Sequence, residues 1–127
     1  MTTKINIFSH QDDLSSFSAG QTIFTEGDTG NTMFAVVEGE VDSVLHGNII
    51  ETVTEGGVFG EMALIDHESR SAAAVAKTDV KVAEVDEKRF HFLVQQTPNF
   101  ASQLMRILVE RIRHMDEAGV DSAYLKQ

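Results

Sequence analysis

Between two strand-like regions the chain reads Gly56-Gly-Val-Phe-Gly-Glu-Met-Ala-Leu-Ile-Asp-His-Glu-Ser-Arg-Ser-Ala-Ala-Ala-Val-Ala76. The centre of this stretch, residues 59–65, has the pattern of one short helical turn that opens at a glycine. Backbone N–H groups at the start of such a turn point in one direction and can converge on an anion. Residues 60–63 are therefore a candidate phosphate cradle.

Two donors follow this turn where the chain enters the next strand, Arg70 and Ser71. A guanidinium beside a hydroxyl suits a phosphodiester anion, because both donate hydrogen bonds to phosphate oxygens. Glu61 would repel such an anion unless its carboxylate accepts a hydrogen bond from a group such as a ribose hydroxyl. Together, Glu61 and Arg70 predict a site for a ribose and its phosphate. The alternative is a surface salt bridge from Arg70 to Asp66 or Glu68.

Around this stretch the chain consists of short β-branched and aromatic runs separated by glycine, Asn or Asp. Over residues 21–86 this pattern predicts a meandering antiparallel β structure. The predicted strands are 22–25, 33–37, 40–45, 49–53, 73–76 and 80–85. We expect a hairpin turn at Gly47-Asn48, since both residues tolerate a positive φ.

After Asp86 the apolar spacing becomes that of a helix. The pattern predicts a first helix over residues 87–96 with Asp86 as its N-cap. Pro98 is typical of a first helical turn and predicts the start of a second helix. We expect that helix to continue to about Ala118 and to end at Gly119.

The second predicted helix has an unusually wide apolar face. Its apolar residues span an arc of roughly 200° on a helical wheel. They are Phe100, Leu104, Met105, Ile107, Leu108, Val109, Ile112 and Met115. Either the helix covers the β structure on one side and a symmetry-related helix on the other, or it is wholly buried within one domain. Arg111 lies inside the arc; it can reach a ligand or a partner, but we expect its stem to pack and its head to extend to water.

Length and charge restrict the class of protein. The chain has 127 residues, the usual size of one domain, and a formal net charge of −10. That charge repels nucleic-acid phosphates and anionic lipids. No apolar run approaches the roughly 20 residues of a membrane span, and the chain has neither a secretory signal pattern nor a cysteine. We expect a cytoplasmic domain that binds neither DNA nor membranes directly.

The histidines give no sign of a metal centre. None of the five has the paired spacing of metal ligands, so we expect surface residues and no bound metal. A hydrolase acting on a bound phosphodiester would need a metal cluster or a positioned base, and neither is visible. The sequence therefore does not favour an enzyme.

The motifs described above resemble those of the cyclic-nucleotide-binding domains of catabolite activator proteins, cAMP-dependent kinase regulatory subunits and nucleotide-gated channels. The phosphate-binding cassette of that family is similar to residues 59–65 followed, after four residues, by Arg70-Ser-Ala, and its β-roll turns are similar to residues 23–41. The resemblance implies a mainly β fold with flanking helices. It predicts a single domain over 1–127, with an antiparallel β-roll, or jelly roll, over about 18–86 and the family's B and C helices over about 87–118.

The resemblance also implies individual roles. Glu61 binds the ribose 2′-hydroxyl and Arg70 binds the cyclic phosphate. The rest of the cradle is Phe59, Gly60, Met62, Ala63 and Ser71. Ser69 departs from the proline that many members place before the arginine, which loosens the cassette without removing a ligand contact. The family's C helix covers the base, so Met115 and Asp116 are candidate lid residues.

The implied function is that of a sensor whose ligand is cAMP or cGMP. A hydroxyl at Ser71 can serve either nucleotide, and cAMP is our expectation. Only eleven residues follow Asp116, whereas a DNA-reading or other effector domain needs roughly 50. We therefore expect a stand-alone sensor that signals through its C-terminal helices to an effector protein, with a homodimer through the C helix. The alternative is a nucleotide-independent interaction module with a vestigial pocket.

Overall fold

The computed structural model describes residues 3–118, with side chains described up to His114. Its strands are β1 (Ser15–Phe17), β2 (Thr22–Phe24), β3 (Thr32–Glu38), β4 (Val41–Leu45), β5 (Asn48–Val53), β6 (Val58–Phe59), β7 (Ala73–Ala76) and β8 (Val80–Asp86). Its helices are α1 (Glu61–Asp66), α2 (Glu87–Gln96) and α3 (Pro98–Ala118). The predicted fold class, antiparallel β structure with flanking helices, is confirmed.

The strands form two four-stranded antiparallel sheets. One sheet has the order β1-β8-β3-β6 and the other the order β2-β7-β4-β5. Strands distant in sequence are neighbours, as where β3 pairs with β8. Because β6 and β7 belong to different sheets, the segment between them crosses from one sheet to the other and carries α1 at the junction.

The central part of strand β3 is buried on both faces. Successive side chains of a strand point to opposite faces, so Met33 and Ala35 face the helices while Phe34 and Val36 face the other sheet. The helix-side cluster comprises Ile5, Phe8, Met33, Ala35, Val58, Leu64, Ala83, Val85, Phe100, Leu104 and Ile107. The cluster between the sheets comprises Phe34, Val36, Val41, Val53, Phe59, Ala74, Ala76, Val80 and Val82. Burial on both faces explains why β3 reads as a continuous apolar run.

All six predicted strands are present, and two short ones were missed. These are β1, which begins before the predicted start of the roll at residue 18, and β6 within the cassette stretch. Each is two or three residues long, and each exists because a long central strand supplies its hydrogen bonds, β8 for β1 and β3 for β6. Runs this short carry too little alternation to be read from sequence.

The predicted hairpin turn is wrong by one residue. The two turn positions are His46 and Gly47, with φ values of 52° and 81°, and Asn48 already pairs with Leu45 as the first residue of β5. A register shift between Ser43 and Val44 in β4 accompanies this placement. Two consecutive positive φ values are what a tight hairpin turn of this kind requires.

Both C-terminal helices begin where the sequence predicts, and α2 also ends at the predicted residue, Gln96. The N-cap of α2 is Asp86, whose carboxylate accepts a hydrogen bond of 2.8 Å from the backbone N–H of Arg89. This contact satisfies one of the N–H groups that the first helical turn leaves without a partner. The second helix, α3, begins at Pro98. The stop predicted at Gly119 lies outside the described residues.

The wide apolar arc of α3 divides into two faces. Phe100, Leu104 and Ile107 are buried against the roll. Met105, Val109 and Ile112 are 61%, 49% and 46% exposed. The interpretation that α3 is wholly buried is therefore wrong, because the helix covers the roll with one face and leaves the other uncovered. The side chain of Met115 lies outside the described residues.

None of the helices within residues 3–118 is both long and apolar enough to span a membrane.

Candidate functional site

The cassette helix α1 begins at a conformation that favours glycine. Gly60 has φ 76° and ψ 6°, in the left-handed region. A Cβ at this position would lie 2.8 Å from Nη1 of Arg70 and 3.4 Å from the ring of Phe24. At the other end, the backbone N–H of His67 donates to the carbonyl of Ala63 at 3.0 Å. The short helix predicted in this stretch is confirmed, and both its backbone turn and the nearby arginine require Gly60.

One pocket brings together all the cassette residues that the sequence singles out. Its cassette lining is Phe59, Gly60, Glu61, Met62, Ala63, Arg70 and Ser71. The rest of the lining is Phe24, Val41, Ser43, Glu51, Val53, Ala72, Ala74 and Arg111. The role of these residues in ligand binding stays a prediction at this point. The side chains of Met115 and Asp116, the candidate lid, lie outside the described residues.

Arg70 is held inside the protein by backbone carbonyls and an aromatic ring. The residue is 6% exposed, and its Nη1 and Nη2 donate to the carbonyls of Gly60 and Thr32 at 2.7 and 2.8 Å. Its guanidinium carbon lies 4.3 Å from the centre of the Phe24 ring, within the range of a cation–π contact. These contacts replace the surface salt bridge to Asp66 or Glu68, so that alternative is wrong.

The charge of Arg70 is balanced by its surroundings. Burial lowers the pKa of Arg70, while the nearby carboxylates of Glu61 and Asp28 raise it. An arginine remains protonated in proteins, so the pocket keeps a buried cation. Because a guanidinium carries more N–H groups than the two bonds to Gly60 and Thr32 use, Arg70 can still donate to an anion in the pocket.

The loop before β3 makes room for Arg70, which sequence reasoning missed. A Cβ on Gly30 would lie 2.6 Å from Nη2 of Arg70. The backbone of Arg70 also pairs with this loop, because its N–H donates to the backbone carbonyl of Asp28 and its carbonyl accepts from the backbone N–H of Gly27, both at 2.8 Å. The sequence assigned these glycines only to turns of the roll. The spacing of these glycines indicated turns, but it gave no indication that Arg70 packs against them.

A three-residue ion cluster links α3 to the cassette and to β5. Nη1 of Arg111 donates to the carboxylate of Glu61, which is 2% exposed. Nε of Arg111 lies 2.9 and 2.7 Å from the two carboxylate oxygens of Glu51. Nη2 donates to the carbonyl of Val58 at 2.6 Å. We call this set, Glu51, Arg111 and Glu61, the acid–arginine cluster.

The position of Arg111 corrects the prediction that its head extends to water. Its side chain is only 10% exposed, and the head lies in the pocket between two carboxylates. Carboxylates removed from water need hydrogen-bond donors, and Arg111 supplies them. The helical wheel placed Arg111 on the inward face, but it could not show that Glu51 and Glu61 lie opposite that face.

Glu51 is the other site residue that the sequence did not single out. Burial raises the pKa of Glu51, and the positive charge of Arg111 offsets part of that rise. The available signal was a single acid within the otherwise apolar and Thr-containing run of β5. That signal is weak, because an acid on a strand is more often a solvent-facing residue.

The pocket has little free volume. The space that remains is about 40 Å³, whereas pockets for small molecules usually measure about 300–1,000 Å³. Arg111 lies across this space between β5 and α1. A nucleotide-sized ligand therefore needs the side chain of Arg111, or α3 itself, to move.

The histidines lie away from this pocket. All five are exposed, as predicted. His67 and His91 lie 3.3 and 3.7 Å from the carboxylate of Glu87. Within the described part of the chain, no group of three or more His, Cys, Asp or Glu residues is placed to hold a metal ion.

Comparison with known proteins assigns the family. The family model described as "Cyclic nucleotide-binding domain" matches residues 14–97. This chain belongs to that family. A curated relative, the cAMP-dependent protein kinase regulatory subunit of Aspergillus niger, is 39% identical over 84 residues, which are 65% of this chain and 20% of the relative. The chain spans about one fifth of the length of the curated relatives that it matches.

Solved structures with the same fold include cyclic-nucleotide proteins. One comes from work on a cyclic-GMP-dependent signalling pathway that regulates bacterial phytopathogenesis. It has 30% identity and a TM-score of 0.68, and the match covers 78% of this chain and 82% of that one. Another is PKAR CBD2 bound to Sp-2Cl-cAMPS, with 27% identity and a TM-score of 0.70 over 88% of this chain and 75% of that one. The cassette lies inside the family match, and Arg111 lies beyond it.

Proposed function

We propose that this domain binds cAMP or cGMP in the pocket of the cassette and is a sensor with no catalytic activity of its own. Arg70 holds the cyclic phosphate and Glu61 accepts a hydrogen bond from the ribose 2′-hydroxyl. The observation that carries the proposal is that both side chains are buried, 6% and 2% exposed, and line one pocket. A buried cation and a buried anion in one pocket match a ligand with an anionic phosphate and a hydroxyl donor.

The local charge of the pocket supports an anionic ligand despite the charge of the chain. The chain as a whole carries −10, which disfavours anions at long range. Within the pocket, Arg70 and Arg111 balance Glu51 and Glu61. A phosphate is thus held by Arg70 at short range, where burial makes charge-assisted hydrogen bonds strong.

The relatives support the ligand class. The Aspergillus relative is named for its dependence on cAMP, and one structural neighbour was solved with a cAMP analogue bound. Another neighbour belongs to a cyclic-GMP-dependent pathway. These names favour a cyclic purine nucleotide and leave the choice of base to the residues of this chain.

Signalling follows from the contact between Arg111 and Glu61. A ribose hydroxyl that bonds to Glu61 competes with Arg111 for that carboxylate, and the small pocket volume requires Arg111 to give way. Occupancy of the pocket therefore changes the position or stability of α3. A ligand shifts such an equilibrium only by its different affinity for the two arrangements, and the competition at Glu61 supplies that difference.

The exposed face of α3 is the proposed output surface. Met105, Val109 and Ile112 recur at intervals of four and three residues, which is the spacing of a two-helix seam. We propose that a second copy of this chain covers the face and that an effector protein reads the resulting change. A Val109→Glu variant should then sediment as a monomer under conditions in which the wild type is a dimer. A wild type that is monomeric at all concentrations would contradict the dimer. The cytoplasmic location stays a prediction.

Calorimetric titration with cAMP and with cGMP tests the nucleotide site. We expect saturable binding to the wild type and a loss of about 100-fold or more in Arg70→Ala, because truncation leaves the buried phosphate without its counter-charge. Arg106→Ala, which removes an exposed arginine of α3, is the matched control and should bind as the wild type does. Glu61→Gln keeps the side-chain shape and provides a second variant if Arg70→Ala unfolds.

A nucleotide-independent interaction module is the second candidate. The exposed face of α3 and the small volume of the pocket favour it. If a folded wild type binds neither nucleotide, the sensor proposal fails and this module becomes the better description.

A further inference from the structure

Glu51 is an acid in a part of the pocket wall that is otherwise apolar or small. It lies in β5, with a side chain that is 20% exposed. The neighbouring wall is formed by Val41, Val53 and Ala74, with the hydroxyl of Ser43. An ionised carboxylate in such surroundings is costly unless it accepts hydrogen bonds. In the structure Arg111 donates to Glu51.

Glu51 and Arg111 differ in how firmly they are placed. Glu51 stands directly opposite Ser43 in the pairing of β4 with β5, so the sheet fixes its backbone. Arg111 is carried by a separate helix and reaches Glu51 from 60 residues along the chain. The ligand that displaces Arg111 from the pocket thus leaves Glu51 in place. A ligand that donates hydrogen bonds to both carboxylates, Glu61 and Glu51, then compensates for the loss of Arg111.

The ligand has one group for each carboxylate. The ribose 2′-hydroxyl donates to Glu61, and the base is attached at the adjoining ribose carbon. Glu51 and Glu61 share the guanidinium of Arg111, since its Nε contacts Glu51 and its Nη1 contacts Glu61. The base edge is therefore the part of the ligand that reaches Glu51.

The two purines differ in what they offer to a carboxylate. The Watson–Crick edge of guanine presents two adjacent donors, N1–H and the N2 amino group, which match the two oxygens of a carboxylate. The same edge of adenine presents one donor, the N6 amino group, beside the N1 lone pair, which repels the second oxygen. Leaving a buried acceptor without its donor is a strong source of discrimination.

We infer that Glu51 reads the Watson–Crick edge of the base and makes this domain selective for guanine. This inference rests on the proposed function and reverses the expectation of cAMP that came from the sequence. Glu51 acts here as a specificity residue, replacing its bond to Arg111 with bonds to N1–H and N2 of the base.

Competition between base analogues tests the inference on the full chain. The probes are cGMP, cAMP and cIMP, whose hypoxanthine keeps N1–H but lacks the N2 amino group. For the wild type we expect cGMP to bind at least about 10-fold more tightly than cAMP, with cIMP between them. In Glu51→Gln, which keeps the side-chain size, the ratio of the affinity for cGMP to the affinity for cAMP should fall to about 1. Glu55→Gln, an exposed acid just after β5, is the matched control and should keep the wild-type ratio.

The outcomes separate this inference from the proposed function. Equal affinity for the two nucleotides, a preference for cAMP, or a ratio unchanged in Glu51→Gln would overturn guanine selection while leaving the sensor intact. A folded wild type that binds none of the three nucleotides would overturn both. The wild-type series with cIMP needs no variant, so the inference remains open to refutation even if Glu51→Gln does not fold.

Discussion

The two sides of the pocket are built in different ways. The cassette side lies within residues 59–71, and the bond from Arg70 to Gly60 closes over ten residues. The α3 side depends on contacts across 50 and 60 residues, from Arg111 to Glu61 and to Glu51. The cassette is thus a local motif that carries its own geometry. The α3 side exists only because the helix packs on the roll, and it is the side that can move.

The largest effect on stability is expected from truncating Phe100, the residue that anchors α3 to the roll. Phe100 is fully buried, with its ring centre 6.4 Å from that of Phe8 and 5.9 Å from that of Phe90. We expect Phe100→Ala to lower the free energy of unfolding by about 3–5 kcal/mol, measured by chemical denaturation. Met105→Ala, on the exposed face of the same helix, should change it by less than about 0.5 kcal/mol. Equal effects would mean that α3 is not anchored to the roll by this face.

The second-largest effect on stability is expected from removing Arg111, which attaches α3 to the pocket by polar contacts. Arg111→Met leaves two carboxylates in the pocket without their shared cation, which should cost about 3 kcal/mol near neutral pH. The pKa of Glu51 is already raised above its ordinary value of 4.5 by burial, and loss of Arg111 raises it further. A raised carboxyl pKa means that the folded state binds more protons than the unfolded state, so stability increases as the pH falls.

The destabilisation by Arg111→Met should therefore shrink as the pH falls through the raised pKa of Glu51 toward 4.5. Thermal melts of the wild type and of Arg111→Met across this pH range measure how the destabilisation changes with pH. Arg106→Met, which removes an exposed arginine of the same helix, should show neither the cost nor the pH dependence. A cost that does not vary with pH would indicate lost packing instead of unpaired carboxylates.

The cassette side gives the smallest of the three effects on stability. Gly60→Ala adds a Cβ at a positive φ and within 2.8 Å of Nη1 of Arg70, and we expect a cost of about 2 kcal/mol. Gly47 has a similar φ of 81°, and no atom lies within 4 Å of an added Cβ. Gly47→Ala therefore measures the cost of the backbone conformation alone. A larger effect at Gly60 than at Gly47 would sharpen the view that Arg70 is held by a close-fitting local turn.

Much of the fold could be predicted because its signals are local. The N-cap at Asp86 and the start of α3 at Pro98 depend on residues that are neighbours in sequence. The strands β1 and β6 could not be predicted, since their hydrogen bonds come from β8 and β3, far along the chain. The hairpin turn was misplaced by one residue because the register of β4 against β5 shifts at Ser43.

The candidate site divides in the same way. Glu61 and Arg70 could be named from the sequence because only eight positions separate them within one motif. Gly30 and Glu51 could not, because each gains its role from a side chain outside its own strand or loop. Arg111 was expected to extend to water, although two carboxylates, the buried Glu61 and the partly buried Glu51, determine where it lies.

By itself, the sequence determined the β-roll with two C-terminal helices and the cassette with its acid and its arginine. These features depend on periodicity, turn chemistry and short spacing, which a chain carries before it folds. Only the tertiary structure decided that Glu51, Glu61 and Arg111 meet in the pocket. The physical reason is that a buried charge is stable only beside its partner, and the packing of α3 on the roll selects that partner.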